Sequence, residues 1–250
     1  MAESWGSTAV VTGASRGFGR AVAGALAGRG ATVVGVGRTA PTLRATAAQL
    51  GPAFLAEPGD ATDPALAQRI LREHRPGLVV LSAGAQPPAG PFHELAWADF
   101  ARNWEMDVRQ AYEWCGAALR LPLAPGSVVV VLSSGAALGG SPVSGGYAGA
   151  KATVRFVTRY AQEESRRAGL GIRFVALLPQ LTPDTGFGLA AVASYARRRG
   201  ADLTATIDGM RPYLTADQLA DAVVALAGGG DQDAVSYTVS AAGYSAVEGG

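Results

Sequence analysis

Thr12-Gly13-Ala14-Ser15-Arg16-Gly17-Phe18-Gly19 is the stretch on which the fold turns. Ahead of it runs the β-branched segment Thr8–Thr12, and behind it Arg20–Gly28 takes up helical periodicity. A strand that breaks into glycines and then a helix lets the backbone turn tightly and approach a pyrophosphate, whose charge rests on the helix N-terminus. Glycine triplets occur in many settings, and the strand–loop–helix context is what gives this one its meaning.

The same alternation continues along the chain. Ala31–Val36, Leu78–Leu81, Ser127–Leu132 and Ile172–Leu178 read as further strands. They are almost continuously apolar, as parallel strands buried on both faces are. Phe54-Leu55 reads as a shorter strand and Val235–Val239 as a final one. Pro41–Leu50, Pro64–Glu73, Ala98–Leu121 and Ser144–Ala168 read as helices between them. This predicts an α/β protein with a doubly wound parallel sheet, a Rossmann fold, in a single domain over residues 1–250. Pro179–Pro212 breaks the alternation and reads as a short substrate lid of loop and helix beside the C-terminal ends of the strands.

Bulk properties exclude several classes. With 16% charged residues and a net charge of +1, nothing favours nucleic acid or an anionic membrane surface. The one cysteine, Cys115, excludes an intramolecular disulfide framework, and no Cys/His cluster suggests a metal site. Met1-Ala2-Glu3-Ser4-Trp5 lacks a basic, apolar leader and no apolar run reaches membrane-spanning length, so a soluble cytoplasmic protein is expected. Arginine in place of lysine, with abundant Ala and Gly, suggests a GC-rich bacterial genome.

Against that background Lys151 is the only lysine, and it stands four residues after Tyr147. On a helix those positions share a face about 6 Å apart. An ammonium at that distance favours the phenolate by roughly 2.8 kcal/mol at an effective dielectric of about 20. Tyr147 is therefore a candidate general acid/base. The second strand bears on the cofactor. NAD binders end it with a carboxylate and NADP binders with arginine. Here it ends Val36-Gly37-Arg38, and no Asp or Glu occurs from Arg20 to Ala56. Arg16 and Arg38 can converge on a 2′-phosphate, which predicts NADP(H).

The Gly-x-x-x-Gly-x-Gly loop, with Ser134 thirteen residues ahead of Tyr147-x-x-x-Lys151, resembles the short-chain dehydrogenase/reductase family, and the likeness runs roughly from Ser7 to Gly243. The resemblance implies that Ser134 holds a substrate carbonyl, Tyr147 transfers the proton, and Lys151 lowers the Tyr147 pKa and binds the nicotinamide ribose. It also implies cofactor contacts from Gly13, Ser15, Arg16, Gly17, Phe18, Gly19, Arg38, Asp60 and Ala61 beside the adenine, Ala83 and Gly84. Ser133 is out of register by one. Two departures stand out. Asp107 occupies the place of an asparagine that helps hold a relay water to the lysine; it is expected to accept from that water, a direct pair with Lys151 being the alternative. Leu178-Pro179-Gln180 replaces the usual Pro-Gly, bringing Gln180 towards the nicotinamide, with Thr182 or Thr185 at the carboxamide.

Ketone reduction in the manner of the family's ketoreductases is the activity implied, on a small-molecule carbonyl substrate, in a homodimer or homotetramer formed through the two long helices. Non-redox cyclisation or dehydration on the same fold, or regulation by a bound dinucleotide, are the alternatives. The pocket is expected between Pro179–Pro212 and the loop around Gln86–Pro91, with Phe187, Tyr195, Met210 and Tyr213 on the lid side. His74 and the Arg197-Arg198-Arg199 run read as solvated. His93 lies near the expected cleft mouth.

Overall fold

The computed structural model describes residues 6–229 and 234–247. The reading of Met1–Trp5 lies outside the described residues. In chain order the elements are β1 Thr8–Thr12, α1 Gly17–Ala27, β2 Thr32–Gly37, α2 Ala40–Leu50, β3 Phe54–Pro58, α3 Pro64–His74 and β4 Leu78–Leu81. There follow α4 Trp97–Asn103, α5 Arg109–Arg120, β5 Val128–Leu132, α6 Ala136–Gly139, α7 Gly145–Arg167 and β6 Arg173–Pro179. The chain then forms α8 Gly186–Arg199, α9 Leu203–Asp208, α10 Ala216–Ala227, β7 Ser236–Ser240 and β8 Gly243–Ala246.

One sheet carries the strands in the order β3-β2-β1-β4-β5-β6-β7-β8. All neighbours are parallel except β7 and β8. The chain reverses direction across the sheet between β3 and β4, which opens a crevice beyond the C-terminal ends of β1 and β4. Successive residues of one strand feed opposite faces. Ala9 and Val11 pack with Val22 and Leu26 of α1 and Val223 of α10, whereas Val10 packs with Ile70 of α3 and Trp114 of α5. Cys115 is buried on α5 in the second of these layers, and burial pushes its thiol up to about 12.

Three parts differ from the sequence expectation. The helix expected over Ala98–Leu121 is divided by a π turn, Trp104–Val108, between α4 and α5. Such a turn takes one extra residue into the helix and re-aims its side chains, and here Asn103 and Asp107 are drawn onto the Ala85 backbone. Helix α10 carries a capping box between Thr215 and Gln218. Strand β8 turns back on β7 as an antiparallel edge, too short and polar for its pattern to stand out.

Candidate active site

The crevice begins at the loop between β1 and α1. Gly13 has φ +67°, and a Cβ there would lie 2.8 Å from the Ala83 Cα, so the two backbones meet only because this residue is glycine. Helix α1 has no side-chain cap at its N-terminus and no acid in its first turn. Its leading N–H groups are left for a ligand, and the helix dipole favours an anion. Those are the features a pyrophosphate requires. Ser15 faces Gly37 at the end of β2, 3.9 Å from the position of a Cβ there. Arg16 and Arg38 are both exposed at this end of the crevice and make no ion pair among the described residues. Asp60 is fixed by its own turn, its Oδ1 accepting from the Thr62 N–H and hydroxyl at 2.9 Å each. The Thr62 N–H, and more weakly its hydroxyl and the charge of Arg38, hold the Asp60 carboxyl below the usual range against the opposing effect of burial. Ala61 is buried, its carbonyl accepting from the Trp114 indole N–H at 2.8 Å.

Strands β1 and β4 are tied together at their C-terminal ends by residues that sequence reasoning passed over. The Thr12 hydroxyl donates to Gln110 Oε1 at 2.6 Å and accepts from the Ser82 and Ala83 N–H groups at 3.0 and 3.1 Å. Gln110 Nε2 completes the ring by donating to the Ala83 carbonyl at 2.9 Å. The only hint in the sequence is a buried-side glutamine on an otherwise apolar helix face.

The candidate reacting centre is assembled from β5 and α7. Ser134 follows the end of β5, and its Oγ accepts from the Ala136 N–H at 3.2 Å. Its side chain faces the Tyr147 phenol closely enough to lower the phenol pKa. Lys151 Nζ lies 5.7 Å from the centre of the Tyr147 ring. Ser133 is a framework residue: it is buried and its hydroxyl donates to the Lys151 carbonyl at 2.7 Å.

The electrostatic balance at Tyr147 corrects the expectation drawn from the pair alone. Part of the ring faces the cleft, but burial of the phenol raises its pKa more than Lys151 and Ser134 lower it, and Asp107 adds to the rise. The net direction is upward, towards the protonated form.

Asp107 also departs from the arrangement expected first. Its Oδ2 lies 3.2 Å from Lys151 Nζ, both side chains being almost fully buried, so the chain adopts the direct ion pair. An ammonium this deep requires a counter-charge, and the π turn supplies it. Lys151 also donates to the Leu132 carbonyl at 2.9 Å. Burial pulls the Lys151 pKa down, but Asp107 and Tyr147 together outweigh it and the net shift is upward. Asp107 Oδ1 accepts from the Ala85 N–H at 2.9 Å, and a Cβ on Gly84 would stand 3.3 Å from both carboxylate oxygens. Asn103 braces the group, donating to the Ala85 carbonyl at 2.8 Å and to Asp107 Oδ2 at 3.4 Å.

After β6, the Gln180 side chain is exposed, while the Gln180 backbone N–H donates to the Val239 carbonyl at 2.8 Å. Pro179 closes β6, its carbonyl accepting from the Gly135 N–H at 2.9 Å. The Thr182 hydroxyl is committed to framework, donating to the Leu214 carbonyl and accepting from the Asp184 N–H, so it is not directed at a carboxamide. Thr185 caps α8 and packs against the site of Gly17, 3.7 Å from a Cβ there, which brings the lid to the glycine loop.

Helix α8 covers the reacting centre. The Phe187 ring lies 5.6 Å from that of Tyr147. Farther along, the Tyr195 hydroxyl bonds Ser141 Oγ at 2.7 Å, and Ser141 bonds Ser144 Oγ at 2.8 Å. That chain of three hydroxyls latches α8 to the loop ahead of α7. Beside it lies a cavity of about 280 Å³, with Gln86, Pro87, Ala89, Val143 and Ser144 on one side and α8 on the other. Phe187, Tyr195, Met210 and Tyr213 do not line it; small residues of α8 do, because the larger rings are turned to Tyr147, to Ser141 and, for Tyr213, to Arg211. His93 is exposed, 3.6 Å from Glu94.

Comparison with known proteins agrees with this architecture. A family model described as short chain dehydrogenase matches residues 7–197. The chain is 34% identical to cis-4-hydroxycyclohexanecarboxylate dehydrogenase of Sinomonas cyclohexanicum over 96% of each sequence. It superposes on the crystal structure of a dehydrogenase/reductase from Sinorhizobium meliloti 1021 with a TM-score of 0.76 and 26% identity, covering 95% of this chain and 94% of the other. A 3-ketoacyl-(acyl-carrier-protein) reductase from Brucella melitensis, complexed with NADH, shares the fold with a TM-score of 0.76 at 24% identity, over 94% of this chain and 97% of that one.

Proposed function

The chain belongs to the short-chain dehydrogenase/reductase family, and from that footing we propose that it is an NADPH-dependent reductase converting a ketone to a secondary alcohol. The family binds a nicotinamide dinucleotide and acts on small molecules. The observation that carries the proposal is the meeting of Ser134, Tyr147 and Lys151 beside the glycine loop. A protonated phenol is the form that gives a proton to a carbonyl oxygen.

When bound, the dinucleotide supplies the hydride. Gly13, Ser15, Gly17, Phe18 and Gly19 would hold its pyrophosphate, and Arg16 and Arg38 its 2′-phosphate. Asp60 and Ala61 would flank the adenine, and Ala83 and Gly84 would line its path. Lys151 would bind the ribose, with Pro179, Gln180 and Thr185 on the carboxamide side. The Ser134 hydroxyl orients the substrate oxygen, and Tyr147 gives that oxygen its proton. Lys151, held by Leu132 and Asp107, keeps a positive charge beside the phenolate that results. Exposed aromatics on α4, α5 and α7, among them Trp97, Tyr112, Phe156 and Tyr160, support assembly into a homodimer or homotetramer through these helices.

The test is a panel of ketones followed by NADPH consumption, with Tyr147→Phe as control. The variant is expected to lose about 10²-fold or more in turnover while NADPH fluorescence still reports binding. Turnover equal to wild type would overturn the assignment.

A further inference from the structure

The cavity beside the Tyr195–Ser141–Ser144 hydroxyl chain has a polarity that the reduction itself does not require. Its walls from α8 are Ala190, Ala191 and Ala193, with Val143 and Pro87 opposite. Among the described residues, Arg197 is the only charged one on its lining. Phe187, Ala190, Ala191, Ser194 and Arg197 recur at three- and four-residue spacing, so they form one stripe along the helix. At one end of the stripe Phe187 meets the Tyr147 ring. At the other, Arg197 Nη2 donates to Ser194 Oγ at 2.9 Å, so the guanidinium leans back along the helix towards the reacting centre. From Phe187 to Ser194 the helix rises about 10 Å.

Arg197 is exposed at the mouth of this cavity, and its charge is left uncompensated there. Arg102, Arg167 and Arg211 each meet a carboxylate three residues away. Helix α8 contains no acid, and Arg197 has no carboxylate partner among the described residues. The neutral groups nearby, Gln86, Ser144 and Ser194, can accept or donate but cannot neutralise it.

We propose that Arg197 binds the carboxylate of an oxo acid whose ketone reaches Tyr147, the alanine-lined stretch taking an apolar spacer of several carbons. This rests on the reading of Tyr147 as the proton donor. A lone guanidinium among neutral groups matches one carboxylate, a planar acceptor it can grip with two N–H groups. Arg199 lies over the Tyr195 ring, 5.8 Å from its centre, and does not line the cavity. The spacing makes the preference one for length as well as charge. A short oxo acid such as levulinate cannot span the stripe, whereas 7-oxooctanoate approaches its length.

The experiment compares 7-oxooctanoate, its methyl ester and levulinate with wild type, Arg197→Gln and Arg197→Lys, following NADPH consumption. Wild type is expected to favour the long acid over its ester by roughly tenfold or more in kcat/KM, mostly through KM. Arg197→Gln should bring that ratio close to one, and Arg197→Lys should restore part of it as a point charge. Levulinate should respond little to either change. An acid/ester ratio near one in wild type, a ratio that survives Arg197→Gln, or a stronger preference for a coenzyme A thioester than for the free acid would each overturn the proposal. If no ketone is reduced, the reductase reading fails, and calorimetry with octanoate against octanamide still decides the site. Tighter octanoate binding that disappears in Arg197→Gln upholds it, and equal binding of the two rejects it.

Discussion

Replacing Asp107 by asparagine separates the two effects of its carboxylate, one on stability and one on proton affinity. At 3.2 Å the pair with Lys151 is worth about 5 kcal/mol at an effective dielectric of about 20. Removing the charge also removes the several kcal/mol that burying a carboxylate costs. The amide oxygen can still accept from Ala85. The net loss is then about 1–3 kcal/mol, a fall in Tm of roughly 3–9 °C for a chain of this size. The effect on Tyr147 has a definite sign. Asp107 raises the phenol pKa, so its removal lowers it. Alcohol oxidation, which requires the phenolate, should move to lower pH with turnover equal or higher, while ketone reduction should lose the alkaline end of its range. The Lys151 pKa is raised above its ordinary 10.5, so the stabilisation it reports is present below that pH and lost as pH rises through the folded-state value. The gap in Tm between wild type and Asp107→Asn should therefore close at strongly alkaline pH. Full pH profiles of kcat in both directions, with Tm across the same range, test the reasoning. An oxidation profile that stays in place or moves upward would refute it. Collapse of turnover in both directions would instead give the carboxylate a direct part in proton movement.

Two further outcomes follow from other parts of the site. Arg38→Ala should raise KM for NADPH by roughly 10–100-fold, the worth of hydrogen bonds to a charged group, with KM for NADH nearly unchanged; equal damage to both would remove the 2′-phosphate reading. Tyr195→Phe cuts the hydroxyl chain to Ser141, worth about 1 kcal/mol, and should raise KM for ketones by about fivefold while leaving KM for NADPH alone. Unaltered ketone kinetics would mean that the chain does not hold α8 over the cavity.

The parts of the site that were legible in the sequence are those written along one element or at one junction. Tyr147 and Lys151 share a helix, so their separation follows from helical geometry, and the measured 5.7 Å to the ring centre lies close to it. The glycine loop was legible because its strand and helix are adjacent in the chain. Asp107 was visible as a departure, but its choice of Lys151 depends on a π turn that no hydrophobic period announces. The same turn hid the end of α4, because Asn103 and Asp107 follow an ordinary helical spacing. Gln110 was missed because its partners, Thr12 and Ala83, are distant in sequence and come together only through the order β1-β4. The sign of the shift at Tyr147 was beyond a pairwise estimate, since burial depends on what the whole chain packs around the phenol. The lid was legible in part: Phe187 faces Tyr147, whereas the Tyr195 hydroxyl is held by Ser141 and leaves the wall of the neighbouring cavity to alanines.

Cys115, buried on α5 with its thiol pushed up to about 12, has a practical consequence. Only the thiolate reacts quickly with alkylating reagents, so the folded protein is silent towards them near neutral pH. A reagent reaches this sulfur when α5 lifts from the sheet, and its rate of reaction therefore times the opening of that core layer. For the same reason a cysteine introduced on α8 can carry a fluorophore against no native background, so the movement of that helix can be followed directly in solution.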